Sequence, residues 1–294
     1  MYEQVEHFLG FLKNDKGYSD NTIAAYRNDL SQFVSFIDNH LPDATKSWHQ
    51  VDAAIVQQYG DHLDQQIVAR KYAASTVARK VASVKSFFSY LTSARILPDN
   101  PAPILRAPKV EKLMPQILTL EETERLLAEP VKGNTPKALR DRAMLELLYA
   151  TGMRVSEMIR LPMSDLDLPN SRIVLHSRDD RTRSLPLPPQ ALEALSGYLK
   201  KGRDALLRGR EENIVFVNQR GKPLTRQGLW LIIKSYASGA GINPGFTPHT
   251  LRHSCAAHRL AQGADLQQVR KLLGHANIST TQIYQEMVEQ TQAP

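Results

Sequence analysis

In the stretch HTLRHS, His249, Arg252 and His253 stand at i, i+3 and i+4, so a helix through them puts all three side chains on one face. A guanidinium between two imidazoles can grip an anion by forked, charge-assisted hydrogen bonds while the imidazoles donate or take a proton. The same spacing also fits a polar helix surface, or a zinc pair with Cys255 nearby. Against zinc, the metalloprotease helix needs a glutamate after its first histidine, where this chain has Thr250, and Arg252 would repel a dication. Downstream, LLGHANISTTQIY sets His275 just past Leu272, Leu273 and Gly274, a helix end followed by a turn, with Tyr284 nine residues on. Upstream, ATGMRVSEM turns at Gly152 into a helix start bearing Arg154 and Glu157, three apart and so neighbours. Alone, each piece is ordinary: a core aromatic, a surface cation, a salt-bridge partner. Together they suggest phosphodiester chemistry. Two arginines hold two non-bridging oxygens and stay charged at any relevant pH, and histidines handle protons. A phenol with pKa near 10 attacks when cations lower the cost of the phenolate, leaving a phosphotyrosyl protein.

The elements that must position these residues are mostly helical. Residues 2–94 read as helices through VEHFLGFL, NTIAAYRNDLSQFVSFIDNHL with Ser19 and Asp20 as caps, VDAAIVQQYGDHL and STVARKVASVKSFFSYLTSA, with no credible strand. In the last of these Val77, Val81, Val84, Phe87, Phe88 and Leu91 form the apolar stripe, leaving Arg79, Lys80 and Lys85 largely off it, so that the helix can pack one face and offer cations on another. Prolines 98, 101, 103, 108 and 115 then mark an extended linker that holds the boundary between an N-terminal domain, 1–107, and a C-terminal domain, 108–294. The second part opens on a capping box, Thr119 with Glu122, and runs through helical patterns at 120–128 and 136–150. RIVLHSRDDRTRSLPL reads as a β-hairpin and NIVFVN as another short strand before the QRGKPL turn. The remainder, 225–289, is helical, broken at Gly239/Gly241, Gly263 and Gly274. The class is mainly α with a small β element.

Hydrophobic residues make up 42% and charged residues 23% of the 294, and no apolar run approaches the roughly 20 residues a membrane span needs, so the reading is a soluble protein. MYEQVEHFLGFLKND has no basic stretch and cleavage site of a signal peptide, and one cysteine permits no internal disulfide; both fit a reducing cytoplasm. Net charge is +7 and the isoelectric point near 9.4. The distribution is uneven: 1–64 carries −6 and 65–107 carries +6, leaving the whole excess to 108–294. Segregated positive charge suits a phosphate backbone, although a solvated face would also carry it.

Several segments in order resemble one family over nearly the whole length: GYSDNTIAAYRNDLSQF, TGMRVSEMIRL, LTRQGLWLIIKSYASGAGI and TPHTLRHSCAAHRLAQGADLQQVRKLLGHANISTTQIY. They resemble the tyrosine recombinases, most closely the Xer-type site-specific recombinases that resolve chromosome dimers in bacteria. The set Arg, His-x-x-Arg, His, Tyr carries the specificity, since none of its members would do so alone. The resemblance implies a four-helix SAM-like core-binding domain followed by a mostly helical catalytic domain with a small sheet. Arg154 and Arg252 would clamp the scissile phosphate, His249 would serve as acid/base near the nucleophile, and His275 would donate to a non-bridging oxygen. Tyr284 would attack and stay linked to the 3′ phosphate, with Glu157 holding the geometry. Arg79, Lys80, Lys85 and Arg226 would contact DNA. The implied assembly is a homo- or hetero-tetramer with a related recombinase on two DNA duplexes, with no metal or nucleotide cofactor; a DNA-translocase activator is among the implied partners.

Two departures stand out. The family's β-hairpin lysine, which protonates the 5′ leaving oxygen, falls on Arg181, a poorer proton donor; Arg178, Arg183 or Lys222 are the alternatives. Only ten residues follow Tyr284, where Xer-type chains usually continue into a segment that docks on a neighbouring subunit. Two further readings share the fold: a DNA-binding protein with weak or no catalysis, raised by Arg181, and a DNA-relaxing enzyme. The intact set argues against the first.

Overall fold

The computed structural model describes residues 1–40, 47–110, 114–176, 182–275 and 277–292. They fall into two compact units, Met1–Lys112 and Leu113–Pro294.

The first unit is four helices, α1 (Tyr2–Asn14), α2 (Asp20–His40), α3 (Ala53–Val68) and α4 (Ala74–Ser93), with single turns at Trp48–Gln50 and Ala102–Ile104. Ser19 starts α2 by accepting from the Thr22 N–H, and Asp52 starts α3 by accepting from the Ile55 N–H. The core is aromatic: Phe33 lies 4.7 Å from Tyr59, and Trp48 packs edge-on to Phe87 at 4.7 Å. The expected stripe of α4 is buried, but so is Lys80, at 1% exposure. Lys80 lies three residues after Val77 and four before Val84, so the helical period itself turns it inward.

The second unit is built around α6 (Pro136–Thr151), which follows α5 (Leu120–Ala128) and precedes the single turn α7 (Val155–Met158). Strands β1 (Leu166–Asp167), β2 (Arg172–His176) and β3 (Thr182–Pro186) form an antiparallel sheet in that order, with Ile173 opposite Leu185 and Leu175 opposite Arg183. Then come α8 (Pro189–Gly197), a π-helical turn over Tyr198–Arg203 and α9 (Asp204–Leu207). The sequence reading assigns this stretch no element, although Pro188 and Pro189 stand at the start of α8, where proline is tolerated. Helices α10 (Arg226–Gly239), α11 (Pro248–Ala261), α12 (Leu266–Leu273) and α13 (Ser279–Gln292) complete the chain.

The strand expected at NIVFVN does not form; isolated bridges join Pro162 to Ile214 and Val217 to Pro223. Side chains take the carbonyls a partner strand would use. Arg203 donates to the oxygens of Glu212, Ile214 and Val215, Tyr198 Oη to Val215 O at 3.0 Å, and Arg140 to Val217 O at 3.0 Å. Among the described residues, no helix is long and apolar enough to cross a membrane.

Candidate active site

The site assembles where α6 ends. Gly152 closes that helix at φ +57°, its N–H donating to Leu148 O at 2.9 Å. A Cβ there would stand 2.6 Å from Leu273 Cδ2, so the bare backbone lets the end of α12 come close. Two residues on, Arg154 opens α7. One Glu157 oxygen accepts from the Arg154 N–H at 2.7 Å and from Arg183 Nη2 at 2.7 Å, the other from Arg154 Nη1 at 3.0 Å. Burial alone would raise the Glu157 carboxyl, but Arg183 and Arg154 outweigh it and hold the group below the ordinary range. It therefore stays an anion that fixes two guanidiniums.

Helix α11 starts on Thr247, whose hydroxyl accepts from the Thr250 N–H, with Pro248 at the first helical position. That start sets the register that turns Arg252 inward, to 5% exposure. Arg252 donates to Gly152 O, to Leu273 O at 2.7 Å and to His275 Nε2 at 3.1 Å. Arg154 Nη2 donates to the adjacent carbonyl, Gly274 O, at 3.1 Å. The two arginines from different elements thus meet on the C-terminal end of α12, where the helix dipole is negative. This end is shaped by Gly274 at φ +64°, with the His275 N–H reaching back to Arg270 O at 3.1 Å. Burial and the neighbouring Arg154 push Arg252 down to about 10, so it remains a cation. Among the described residues no carboxylate bonds to it.

His275 is held from both sides. Arginine only donates, so Nε2 must accept from Arg252, and Nδ1 then carries the proton to Thr281 Oγ1 at 3.0 Å. Burial first, then Arg252 and Arg154, press His275 down to about 4, and it is neutral. Tyr284 lies on α13, 2% exposed, its ring stacked against that of His275 at 6.4 Å. Burial raises the phenol pKa although Arg252 opposes it, so in the DNA-free site the expected easing of the phenolate is outweighed.

The structure brings Arg154, Glu157, Arg252, His275 and Tyr284 together. It departs from the sequence reading at the histidine expected beside the nucleophile. The ring bonded to Tyr284 Oη is that of His253, through Nδ1 at 2.7 Å, and not that of His249. Burial first, and then the charges of Arg252, Arg226 and Arg154, lower the pKa of His249. Among the described residues no group of three or more His, Cys, Asp or Glu side chains converges, so His249 and His253 have no third ligand-type neighbour.

Lys80 is corrected as a DNA contact: its ammonium is buried on Asp29 at 3.2 Å and Gln32 Oε1 at 2.6 Å, out of reach of a phosphate. Arg79 also bonds Asp29 and keeps its side chain 40% exposed. Lys85 is partly exposed, and Arg226 is exposed at the first residue of α10, where the dipole disfavours a cation without an anion beside it. Arg181 and Arg178 lie outside the described residues. Lys222 is exposed in the turn after Asn218, and Arg183 is committed to Glu157.

Sequence reasoning passed over the contacts of His253, Arg183 and Thr281. For Arg183 the signal was present: residues 183, 185 and 187 share one strand face, and the other two are buried leucines. An arginine on the inward side of a strand calls for an internal acid. For His253 no local signal exists, because its partner is 31 residues away.

Comparison with known proteins identifies a family for the whole chain. The profile of the Phage integrase family matches residues 116–290, and that of its N-terminal SAM-like domain residues 5–95. The chain is 46% identical over 286 residues to Tyrosine recombinase XerC of Roseiflexus sp. (strain RS-1), covering 97% of this chain and 89% of that one. It is 40% identical over 281 residues to Tyrosine recombinase XerD of Oceanobacillus iheyensis, covering 95% and 92%. Among solved structures it is similar in fold to XerH site-specific recombinase bound to a palindromic difH substrate, with TM-score 0.74, 22% identity, and coverage of 98% and 82%. With the guanidiniums, the histidines and the tyrosine on one site and both profiles matched in order, the chain belongs to the phage integrase family of tyrosine recombinases.

Proposed function

We propose that this chain is a site-specific recombinase that cuts and rejoins double-stranded DNA through a 3′-phosphotyrosyl intermediate at Tyr284. The observation that carries the assignment is the meeting of Arg154 and Arg252 on the neighbouring carbonyls of Gly274 and Leu273, beside His275 and Tyr284. Neutral carbonyl oxygens there occupy the place of a phosphate's two non-bridging oxygens. A phosphodiester entering the site replaces dipoles by a full negative charge, which two forked donors hold more strongly. It also takes over Arg252, so that His275, carrying a proton on Nε2, donates to the same anion.

In the chemical step the Tyr284 oxygen forms a bond to phosphorus as the bond from phosphorus to the 5′ oxygen breaks. The phenolic proton leaves to solvent or to a nearby base, His249 in this reading, and the 5′ oxygen gains a proton. Arg181 is proposed to stabilise that leaving oxygen while water supplies the proton. Rejoining is the reverse reaction with a 5′ hydroxyl from a second strand. Arg79, Lys85 and Arg226 are proposed to contact the DNA backbone. The working unit is proposed to be a tetramer, of copies or with a related recombinase, on two duplexes in the cytoplasm, open to a DNA-translocase activator. The reading is supported by family membership, and by XerH and lambda integrase having been captured on their own DNA sites.

A nicked suicide DNA substrate tests it. The protein should give a covalent adduct in a denaturing gel and Tyr284→Phe none; no adduct from the unaltered protein overturns the reading. A 5′-bridging phosphorothiolate, which needs no proton to depart, should speed cleavage, and an unchanged rate counts against the role given to Arg181.

A further inference from the structure

The hydroxyl of a buried tyrosine needs a partner, and in this site the choice is narrow. His275, stacked on the Tyr284 ring, has both nitrogens engaged, one by Arg252 and the other by Thr281. The imidazole bonded to the hydroxyl is that of His253, one helical turn after His249 on α11, with its Nδ1 2.7 Å from Tyr284 Oη. The rings are 5.5 Å apart and tilted by 42°, so the approach is through the nitrogen and not face to face. We infer that His253 is a positioning residue for the nucleophile: its Nδ1 lone pair accepts the phenolic proton in a hydrogen bond and sets the direction of the hydroxyl before a phosphate arrives. The inference rests on Tyr284 being the attacking group.

The chemistry favours holding over deprotonation. His253 faces His249 and Arg252 on its own helix and Tyr284 from α13, with His275 beyond. Burial, then His249, then Arg252 press it down to about 4. A neutral imidazole with its proton on Nε2 offers Nδ1 as an acceptor, which suits the donor O–H of a phenol. Taking the proton outright would make an imidazolium beside Arg252, with no carboxylate among the described residues bonded to either. His253 therefore aims the hydroxyl and leaves the proton on it. The assignment separates two histidines that the HTLRHS spacing makes look equivalent: His249 lies toward the arginines, and His253 toward the tyrosine.

The test is single-turnover adduct formation on the nicked suicide substrate with the full chain. His253→Leu removes the acceptor at similar volume, and His253→Asn returns one near the position of Nδ1 without a titratable ring. Expected are an adduct rate lowered by about tenfold in His253→Leu and by less than about threefold in His253→Asn, with DNA affinity equal to the unaltered protein in both. A rate unchanged in His253→Leu, or equally slow in both variants, overturns the inference. Should His253→Leu fail to bind DNA, nitrogen-15 histidine spectra of the unaltered protein decide. An unprotonated Nδ1 on His253 at pH 7.5 that shifts in Tyr284→Phe supports the contact, and a protonated Nδ1 overturns it. Tyr284→Phe in the same adduct assay keeps the premises separate: an adduct from that variant refutes the nucleophile, whatever His253 does.

Discussion

Each unit holds a cluster of cations around one buried member, Lys80 in the first and Arg252 in the second, and the two clusters are balanced differently. In the first unit Asp29, fully buried, bonds Arg79, Lys80 and Ser83, while Lys80 also reaches Gln32 and lies over the Tyr72 ring at 5.1 Å. The buried charges Asp29 and Lys80 cancel, and Arg79 extends to solvent. In the second unit Arg154 and Arg183 share the single carboxylate of Glu157, and the buried Arg252 has only carbonyls and a neutral imidazole as bonded partners. The Arg183 Nε, also buried, has no hydrogen-bond partner among the described residues. The first cluster is complete and acts as an internal cross-link. In the second, no carboxylate among the described residues bonds Arg252, and in the proposed function the anion that does so is the phosphate of the ligand. Local compensation separates a structural cation from a binding one; the number of basic residues in a segment does not.

The largest effect should come from unbalancing the complete cluster. Asp29→Ala leaves Lys80 buried without its anion and should cost the first unit about 3–5 kcal/mol in urea unfolding. The pair Asp29→Leu with Lys80→Met should recover most of it; no loss in the single variant would show that the two charges are not coupled. Arg252→Met applies the opposite operation to the incomplete cluster. It should slow adduct formation by about 10²–10³-fold, roughly 3–4 kcal/mol, yet lower unfolding stability by less than about 2 kcal/mol. A stability loss as large as that of Asp29→Ala would make Arg252 a structural cation as well. Glu157→Gln removes the carboxylate that Arg154 and Arg183 share and should slow the adduct by about tenfold without weakening DNA binding at low salt. A fall in affinity would break the account of Glu157 as the group that only fixes the guanidiniums.

The smallest effect is in pH. His253 and His275 sit at about 4 in the folded chain, below the ordinary histidine value near 6.5. Between those values the unfolded chain binds protons that the folded chain does not, so stability is full above pH 6.5 and falls as pH drops toward 4. With both rings only part-buried, the loss should be on the order of 1 kcal/mol each, read as a lower urea midpoint for the second unit at pH 5 than at pH 7.5. Equal midpoints would mean that the cations around these rings are screened. Bound phosphate should reverse the preference, so DNA affinity should rise over the same fall in pH.

The comparison also shows what a sequence carries. Helix periodicity located α4, and the same periodicity places Lys80 three residues after Val77, yet its charge argued for the surface; burial of a lysine needs Asp29, 51 residues away, to make sense. Composition over 65–107 is basic, and composition averages over pairing. In the site, Arg154, Arg252, His275 and Tyr284 were legible because resemblance fixes their order and type. The roles of His253 and Arg183 were not, since each depends on a partner from another element. NIVFVN has the residues of a strand, but Arg203, Arg140 and Tyr198 from other helices had already claimed its carbonyls.

The grip of both arginines on the end of α12 has a consequence for energy flow. Leu273 O and Gly274 O belong to the segment that leads to α13 and Tyr284, so the donors that a phosphate would recruit are the same ones that tether this segment. Occupancy of the site and freedom of the tyrosine-bearing helix are then linked functions. By reciprocity, if bound phosphate weakens the tether by a given factor, releasing the tether with both arginines in place raises phosphate affinity by the same factor.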